Sequence, residues 1–230
     1  TWFHKSLTAI PPVNDNLEAA ALSIYKCFFV DYIPFDGSQP SSWKEVTVDD
    51  IASDVICGKT PPTADQQIYG GTIPFITIPD MHGSVYTTTT ARFLSEKGAA
   101  TQPGKMLPAN CVCVSFIASV GLVCLTAEPS QTNQQINSII CKDQISPFYV
   151  YTKMTTLNEY LKQLGAGGST TLNINKTLFG QIQILLPDEA SMKEYHNKVE
   201  PLFSSIRENQ YEIQHLESLK RLLLSQFSSR

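Results

Sequence analysis

From Met192 onward the apolar side chains of this chain recur at alternating steps of three and four: Met192, Tyr195, Val199, Leu202, Ile206, then Asn209, Ile213, Leu216, then Lys220, Leu223 and Phe227. Such steps average 3.5 residues, the period that keeps one stripe facing a partner helix. The pattern predicts a helix from about Asp188 to Phe227, roughly 60 Å long at 1.5 Å per residue. That is more than a domain of this size needs to cover its core, so the helix reads as an arm or a spacer. Tyr195, Val199, Leu202, Ile206, Asn209, Ile213, Leu216, Leu223 and Phe227 are its expected partner-facing seam. Asn209 and Lys220 interrupt the stripe, and polar groups in such seams set register and partner at a cost in stability. Pro201 predicts a kink, or a short helix joined to a longer one.

The pattern divides the chain into residues 1–40, 41–187 and 188–230. In the first zone Leu17, Ala21, Ile24 and Phe28 predict a helix from Asn14 to Tyr32, capped by Asn14 or Asp15 and stopped by Pro34 and the Asp36-Gly37-Ser38 turn. The middle zone reads as a mixed α/β domain. Thr72–Ile78 alternates as a strand, Asn110–Leu125 supplies two strands broken at Ser119-Val120-Gly121, and Ile136–Cys141 another. Pro147–Leu164 has helical periodicity and Gln181–Pro187 forms a closing strand. Gly58–Gly71 and Gly165–Asn175 are loops rich in Gly, Ser and Thr.

Composition narrows the function classes. No run approaches the ~20 apolar residues of a membrane span. Six cysteines sit mostly inside apolar runs, with Cys111 and Cys113 on one face of a strand, which points to reduced core thiols and a cytoplasmic setting. No CxxC pair exists and the four histidines are scattered, so no metal site is expected. The net charge of −4 argues against a free-standing DNA binder. Residues 41–187 are nearer balance, with nine Lys/Arg against ten Asp/Glu. Gly58-Lys59-Thr60 lacks the upstream glycine of a phosphate loop, and no cofactor-binding glycine fingerprint appears. The first residue is Thr1 rather than Met, which fits a piece of a longer chain.

Several segments carry a resemblance, in order along the chain. Ile184-Leu185-Leu186-Pro187 leads into a helix with Glu200-Pro201-Leu202-Phe203, Ile206, Asn209, Glu212, Leu216, Leu219-Lys220-Arg221 and Leu223-Leu224. Asn16-Leu17-Glu18 and Tyr25–Tyr32 precede the domain, and Trp43–Val46, Asp50-Ile51 and Gly58–Pro61 open it. Ile73–Ile76, Asn133-Gln134-Gln135 and Gly167–Thr170 lie within it. Together these resemble the specificity (S) subunits of type I restriction–modification systems: one target recognition domain, the conserved helical spacer after it, and the end of another spacer before it. Such subunits usually carry two domains and two spacers. The chain is therefore either a half-sized subunit that pairs with a copy of itself or a fragment of a longer one.

The resemblance implies a non-catalytic subunit that reads one half of a bipartite target in double-stranded DNA. It implies methyltransferase and restriction subunits as partners, with S-adenosylmethionine held by the methyltransferase and no cofactor on this chain. The heptads also allow a homodimer through the C-terminal helix. Base reading needs hydrogen-bonding side chains on projecting loops. The candidates are Lys59, Thr60, Gln66, Gln67 and Tyr69 in one loop, Ser169, Thr170, Thr171, Asn173, Asn175 and Lys176 in another, and Arg92 and Lys105, with Lys97 and Gln102, in a third stretch. Two other readings remain open on the residues alone: a coiled-coil adaptor with a protein- or glycan-binding head, and a cysteine-dependent enzyme.

Overall fold

The computed structural model describes residues 2–117, 119–166 and 176–228. The chain opens in helix α1 (Trp2–Phe29), which runs through Pro11 and Pro12. The expected start at Asn14 or Asp15 is therefore corrected, because a proline's fixed φ suits a helix even though it donates no bond. The helix also ends earlier than Tyr32, which takes a left-handed backbone with φ 53°. Strand β1 (Lys44–Thr47) and the short helix α2 (Val48–Ile51) follow, and Thr47 and Asp50 form a reciprocal capping box at the start of α2.

Next come β2 (Ala52–Cys57), β3 (Tyr69–Ile76), β4 (Tyr86–Thr87), β5 (Phe93–Leu94), helix α3 (Glu96–Ala100), β6 (Val112–Ser115), β7 (Val123–Thr126), β8 (Gln131–Thr132) and β9 (Ile136–Cys141). Five strands make one sheet in the order β2-β9-β6-β7-β4, antiparallel except for the β7–β4 pair. Three more make a second sheet, β5-β3-β8. The larger sheet is covered on both faces. Val55, Val112, Val114, Leu125 and Ile139 enter the main core. Ile56, Cys111, Cys113, Cys124 and Ile136 pack on Ile76, Ile78, Met81 and Leu107. The period-2 alternation that puts Cys111 and Cys113 on one face thus places both in the smaller core.

The single helix expected over 147–164 is two: α4 (Pro147–Thr156) and α5 (Asn158–Ala166). The break coincides with a tertiary contact. The Asn158 amide donates to Gly121 O at 2.9 Å, fastening the β6–β7 connection instead of continuing the helix surface. Helix α6 (Lys176–Gly180) leads to β10 (Gln183–Leu186), which pairs antiparallel with β1 so that Lys44 opposes Leu186.

The last element is α7 (Glu189–Ser228), a single run of 40 residues. Pro201 does not divide it into a short helix and a longer one. The neighbouring turns are held from outside: Val199, Phe203 and Ile206 are fully buried. The core-facing stripe runs Met192, Tyr195, Val199, Phe203 and Ile206, while Leu202 is only half-buried. The seam thus passes through Phe203, whose ring stacks on Phe148 of α4 at 4.5 Å.

The partner of this stripe is the chain's own α1. Asn209 Nδ2 donates to Asn14 Oδ1 at 2.8 Å, and the rings of Tyr25, Phe28 and Phe29 lie 4.9 to 6.3 Å from Tyr195. Later residues of α7 meet earlier residues of α1, so the two helices run antiparallel. Tyr195, Val199 and Ile206 are in this way spent inside the chain and are not available to a second copy. Where the helices reach the domain, Phe29 packs against Tyr149 and Tyr195, both at 4.9 Å, and against Trp43 at 5.5 Å. Trp43 Nε1 donates to Asp188 Oδ2 at 3.0 Å, while Asp188 Oδ1 accepts from Ser191 N and caps α7.

Phe29→Ala removes the ring common to these contacts and should destabilise the fold by roughly 3–5 kcal/mol in chemical denaturation. Asn209→Leu leaves Asn14 Oδ1 without its donor in a half-buried seam. Spin labels on α1 and α7 should then report a broadened interhelical distance with little loss of secondary structure; an unchanged distance would make the Asn14–Asn209 pair incidental to register.

Candidate nucleic-acid interface

The small sheet β5-β3-β8 carries the loop that the sequence singles out. Ile68, Phe75 and Leu94 form its own buried core. Two glycines let the surrounding backbone close on it. A Cβ on Gly58 would lie 2.2 Å from Asn133 O, and one on Gly98 would lie 2.1 Å from Ile68 O, so neither position accepts a side chain without backbone movement. The first approach seats Lys59 N on Thr132 O at 3.0 Å. The second lays α3 against the 3-10 turn Gln66–Ile68. Gln131, fully buried, donates to Ala99 O and Gln102 O and so ties the end of α3 to β8.

On this scaffold Lys59, Thr60, Gln66, Gln67, Tyr69, Arg92 and Lys105 come onto one unit. Thr60 Oγ1 donates to Gln134 Oε1 at 2.7 Å, and Tyr69 OH to Pro61 O at 3.1 Å. The Arg92 guanidinium stands 5.7 Å from the Tyr69 ring centre and 5.3 Å from that of Phe75, while its own backbone O accepts from Phe75 N. Lys97 Nζ bridges Asp65 Oδ2 at 3.0 Å and Gln67 Oε1 at 2.6 Å. This ammonium, with the Gln67 N–H, holds the Asp65 carboxyl below the usual carboxylate range. Ser95 caps α3 through Gly98 N and donates to Gln67 O.

Residues 58–76, 92–105 and 130–135 hold four cationic side chains (Lys59, Arg92, Lys97, Lys105) and two carboxylates (Asp65, Glu96). These stretches carry a local surplus of two cations in a chain of net charge −4, with Asp80 bound to Ala91 N just outside them. Gln134 and Asp65 belong to this cluster but not to the contact set read from sequence. The landmark Asn133-Gln134-Gln135 points to the first; Asp65 pairs with Lys97 across about thirty residues and leaves no local pattern.

Not every candidate joins the cluster. Lys176 lies 3.7 Å from Asp54 on edge strand β2. Ser169, Thr170, Thr171, Asn173 and Asn175 lie outside the described residues. A cleft of about 700 Å³ opens between α1, α7 and the loops around Gly83–Thr89 and Gly121–Val123, and its walls include Asp15, Glu18, Glu217 and Arg221. Three carboxylates against one guanidinium make it a poor place for phosphate.

Residues 40–218 match the family model described as the type I restriction modification DNA specificity domain. The chain belongs to that family. It is 38% identical over 228 residues to the type I restriction enzyme HindI specificity subunit of Haemophilus influenzae, an alignment covering 96% of this chain and 50% of that protein. It is 30% identical over 155 residues to the MjaIX specificity subunit of Methanocaldococcus jannaschii, covering 66% of this chain and 35% of that one. Among solved structures, the type I restriction–modification system S subunit from M. genitalium superposes with a TM-score of 0.69 at 13% identity, covering 96% of this chain and 56% of that chain. At that identity the likeness speaks to fold alone: a mixed α/β domain followed by a long helix. The chain spans about half the length of the HindI subunit and a third of the MjaIX subunit.

Membership in the specificity family disfavours the adaptor with a protein- or glycan-binding head. The cysteine-dependent enzyme is disfavoured on chemistry as well. All six thiols are free, and Cys111, Cys113 and Cys124 are buried. Burial pushes the Cys111 thiol well up and that of Cys141 to about 12, and the bond to Cys113 followed by burial does the same to Cys124. Hydrogen bonds from Cys111 and Cys124 shift Cys113 down, but it is fully buried and out of reach of a substrate. No helix among the described residues is long and apolar enough to cross a membrane, and no group of three or more metal-ligating side chains is found among them. Iodoacetamide at pH 8 should leave Cys111, Cys113 and Cys124 unmodified in the native protein and label them after unfolding, as read by peptide mass spectrometry. Rapid native labelling of any of the three would restore the thiol-enzyme reading.

Proposed function

We propose that this chain reads one half of a bipartite double-stranded DNA target for a type I restriction–modification enzyme and does no chemistry itself. The observation that carries the reading is the cationic unit on β5-β3-β8, whose loop side chains are held by bonds that span the domain. Lys59, Arg92 and Lys105 supply phosphate contacts, and the amides of Gln66, Gln67 and Gln134 supply base contacts. Lys176, the first residue of α6, adds a further cation for phosphate. The methyltransferase subunits bring S-adenosylmethionine and the reacting groups, and the restriction subunits complete the assembly.

The helices set distance. Near the domain, α1 and α7 cover each other; toward its far end α7 exposes Leu222 and Leu223, 60% and 43% accessible. Those side chains suit burial under a second recognition domain, either from the same polypeptide or from a second copy. The outer face of α7, with Glu194, Lys198, Glu208 and Arg221, offers a polar surface for a methyltransferase subunit.

Duplex binding followed by fluorescence anisotropy tests the reading. Lys59→Ala should weaken binding about equally for all sequences and reduce the slope of log K against log salt by about 0.9. Arg92→Ala should do the same, with an added loss of packing on Tyr69 and Phe75. The purified chain should bind DNA weakly and transfer no methyl group, whereas co-expression with a methyltransferase subunit should yield a stable complex. Methyl transfer by the isolated chain would sink the proposal.

A further inference from the structure

Resting on that reading of the β5-β3-β8 unit as the DNA-facing surface, we propose that Gln67, held in place by Lys97, is a specificity determinant that selects guanine in the major groove. Gln67 is exposed, yet three groups fix it. Its backbone N donates to Asp65 Oδ1 at 2.9 Å, its backbone O accepts from Ser95 Oγ at 2.6 Å, and its side-chain Oε1 accepts from Lys97 Nζ at 2.6 Å. An ammonium only donates, so the atom it meets on Gln67 is the carbonyl oxygen and the amide NH₂ is turned away from it.

Lys97 is itself anchored by Asp65 at 3.0 Å. Of its three N–H groups, Asp65 and Gln67 take two, and one remains. The pair therefore presents two kinds of donor, the remaining N–H of Lys97 and the NH₂ of Gln67, on either side of the Gln67 carbonyl oxygen. Guanine is the base whose major-groove edge offers two adjacent acceptors, N7 and O6, while adenine places an amino group where O6 would be. A free glutamine amide reads adenine by giving and accepting at once. With an ammonium on its carbonyl, an adenine amino group meets positive charge there and guanine O6 does not. Pinning two long exposed side chains costs rotamer freedom that a merely solvated loop has no cause to give up. Lys97 is thus a positioning residue that sets what Gln67 reads.

The test uses the specificity subunit that carries this chain, assembled with its methyltransferase subunits, and a random-sequence duplex library from which bound DNA is sequenced. The wild-type complex should enrich a guanine at one position of the half-site. Gln67→Glu keeps the bond to Lys97 but presents an acceptor, and should move that one position to cytosine, whose N4 group donates, with a change in preference of about tenfold or more. Lys97→Met frees the amide and should let adenine in at the same position with every other position unchanged, which a loss of loop structure would not do. Variants that enrich the wild-type motif, or that lose affinity equally for all sequences, overturn the role of Gln67 while leaving DNA reading intact. A single-position change from a base other than guanine overturns the guanine assignment. A wild-type complex that enriches no motif overturns the DNA-reading proposal itself.

Discussion

Both ends of the globular domain leave it at one place, and the rings of Phe29, Trp43, Tyr149 and Tyr195 fill that place. Phe29 ends α1, Trp43 precedes β1, Tyr149 lies in α4 and Tyr195 stands in the second turn of α7, so one aromatic cluster fastens the incoming helix, the outgoing helix and the domain between them. Asp188 adds direction to an otherwise nonspecific contact. One of its oxygens caps α7 and the other holds the Trp43 indole, and the Ser191 N–H, first among these donors, keeps its carboxyl below the usual range. A helix pair fixed to a domain transmits position only if its junction is rigid, and α7 is held further along as well, by Phe203 on Phe148 and by Gln210 Oε1, which accepts from Tyr86 N. Interlocked aromatic rings in T-shaped and tilted contacts are difficult to slide past one another.

Charge is sorted on either side of this joint. The cleft beside α1 and α7 carries Asp15, Glu18 and Glu217, whereas the small sheet gathers Lys59, Arg92, Lys97 and Lys105. A chain with net negative charge can still meet a polyanion when its cations are local, because screening over about 8–10 Å in physiological salt keeps the distant carboxylates out of the balance.

How much of this is legible in the sequence follows from where each feature gets its information. The 3.5-residue period is local, so α7 could be read almost to its ends, and the apolar runs at 112–115, 123–126, 136–141 and 183–186 announced their strands. The partner of the stripe is not local. Asn209 meets Asn14 across 195 positions, and nothing in either segment names the other. Strands β4, β5 and β8 are two residues each and too short to show a period. Helix α1 hides its first half behind Pro11 and Pro12, residues that usually mark a boundary. The division of α4 from α5 depends on a bond from Asn158 to Gly121, a decision made by tertiary structure. In the interface the loop composition was readable, but the bridge from Asp65 through Lys97 to Gln67 joins two stretches that only the fold makes neighbours.

The two polar flaws in the heptad stripe can now be separated by their surroundings. Phe28 meets Tyr195 and Asn14 meets Asn209, so the numbers of opposed residues on α1 and α7 keep a constant sum. That register carries α1 to its first turn at about the level of Lys220 and Arg221. Asn209 therefore lies well inside the paired region and has a polar partner there, while Lys220 lies at the level of the first turn of α1. Beyond it Leu222, Leu223 and Leu224 are consecutive, and at 100° per residue they sweep about 200° of the helix surface. A single helical partner covers a stripe of roughly half that width. The leucines call for a surface that wraps the helix, as the domain wraps Ala21, Tyr25, Phe28 and Phe29 at the end of α1.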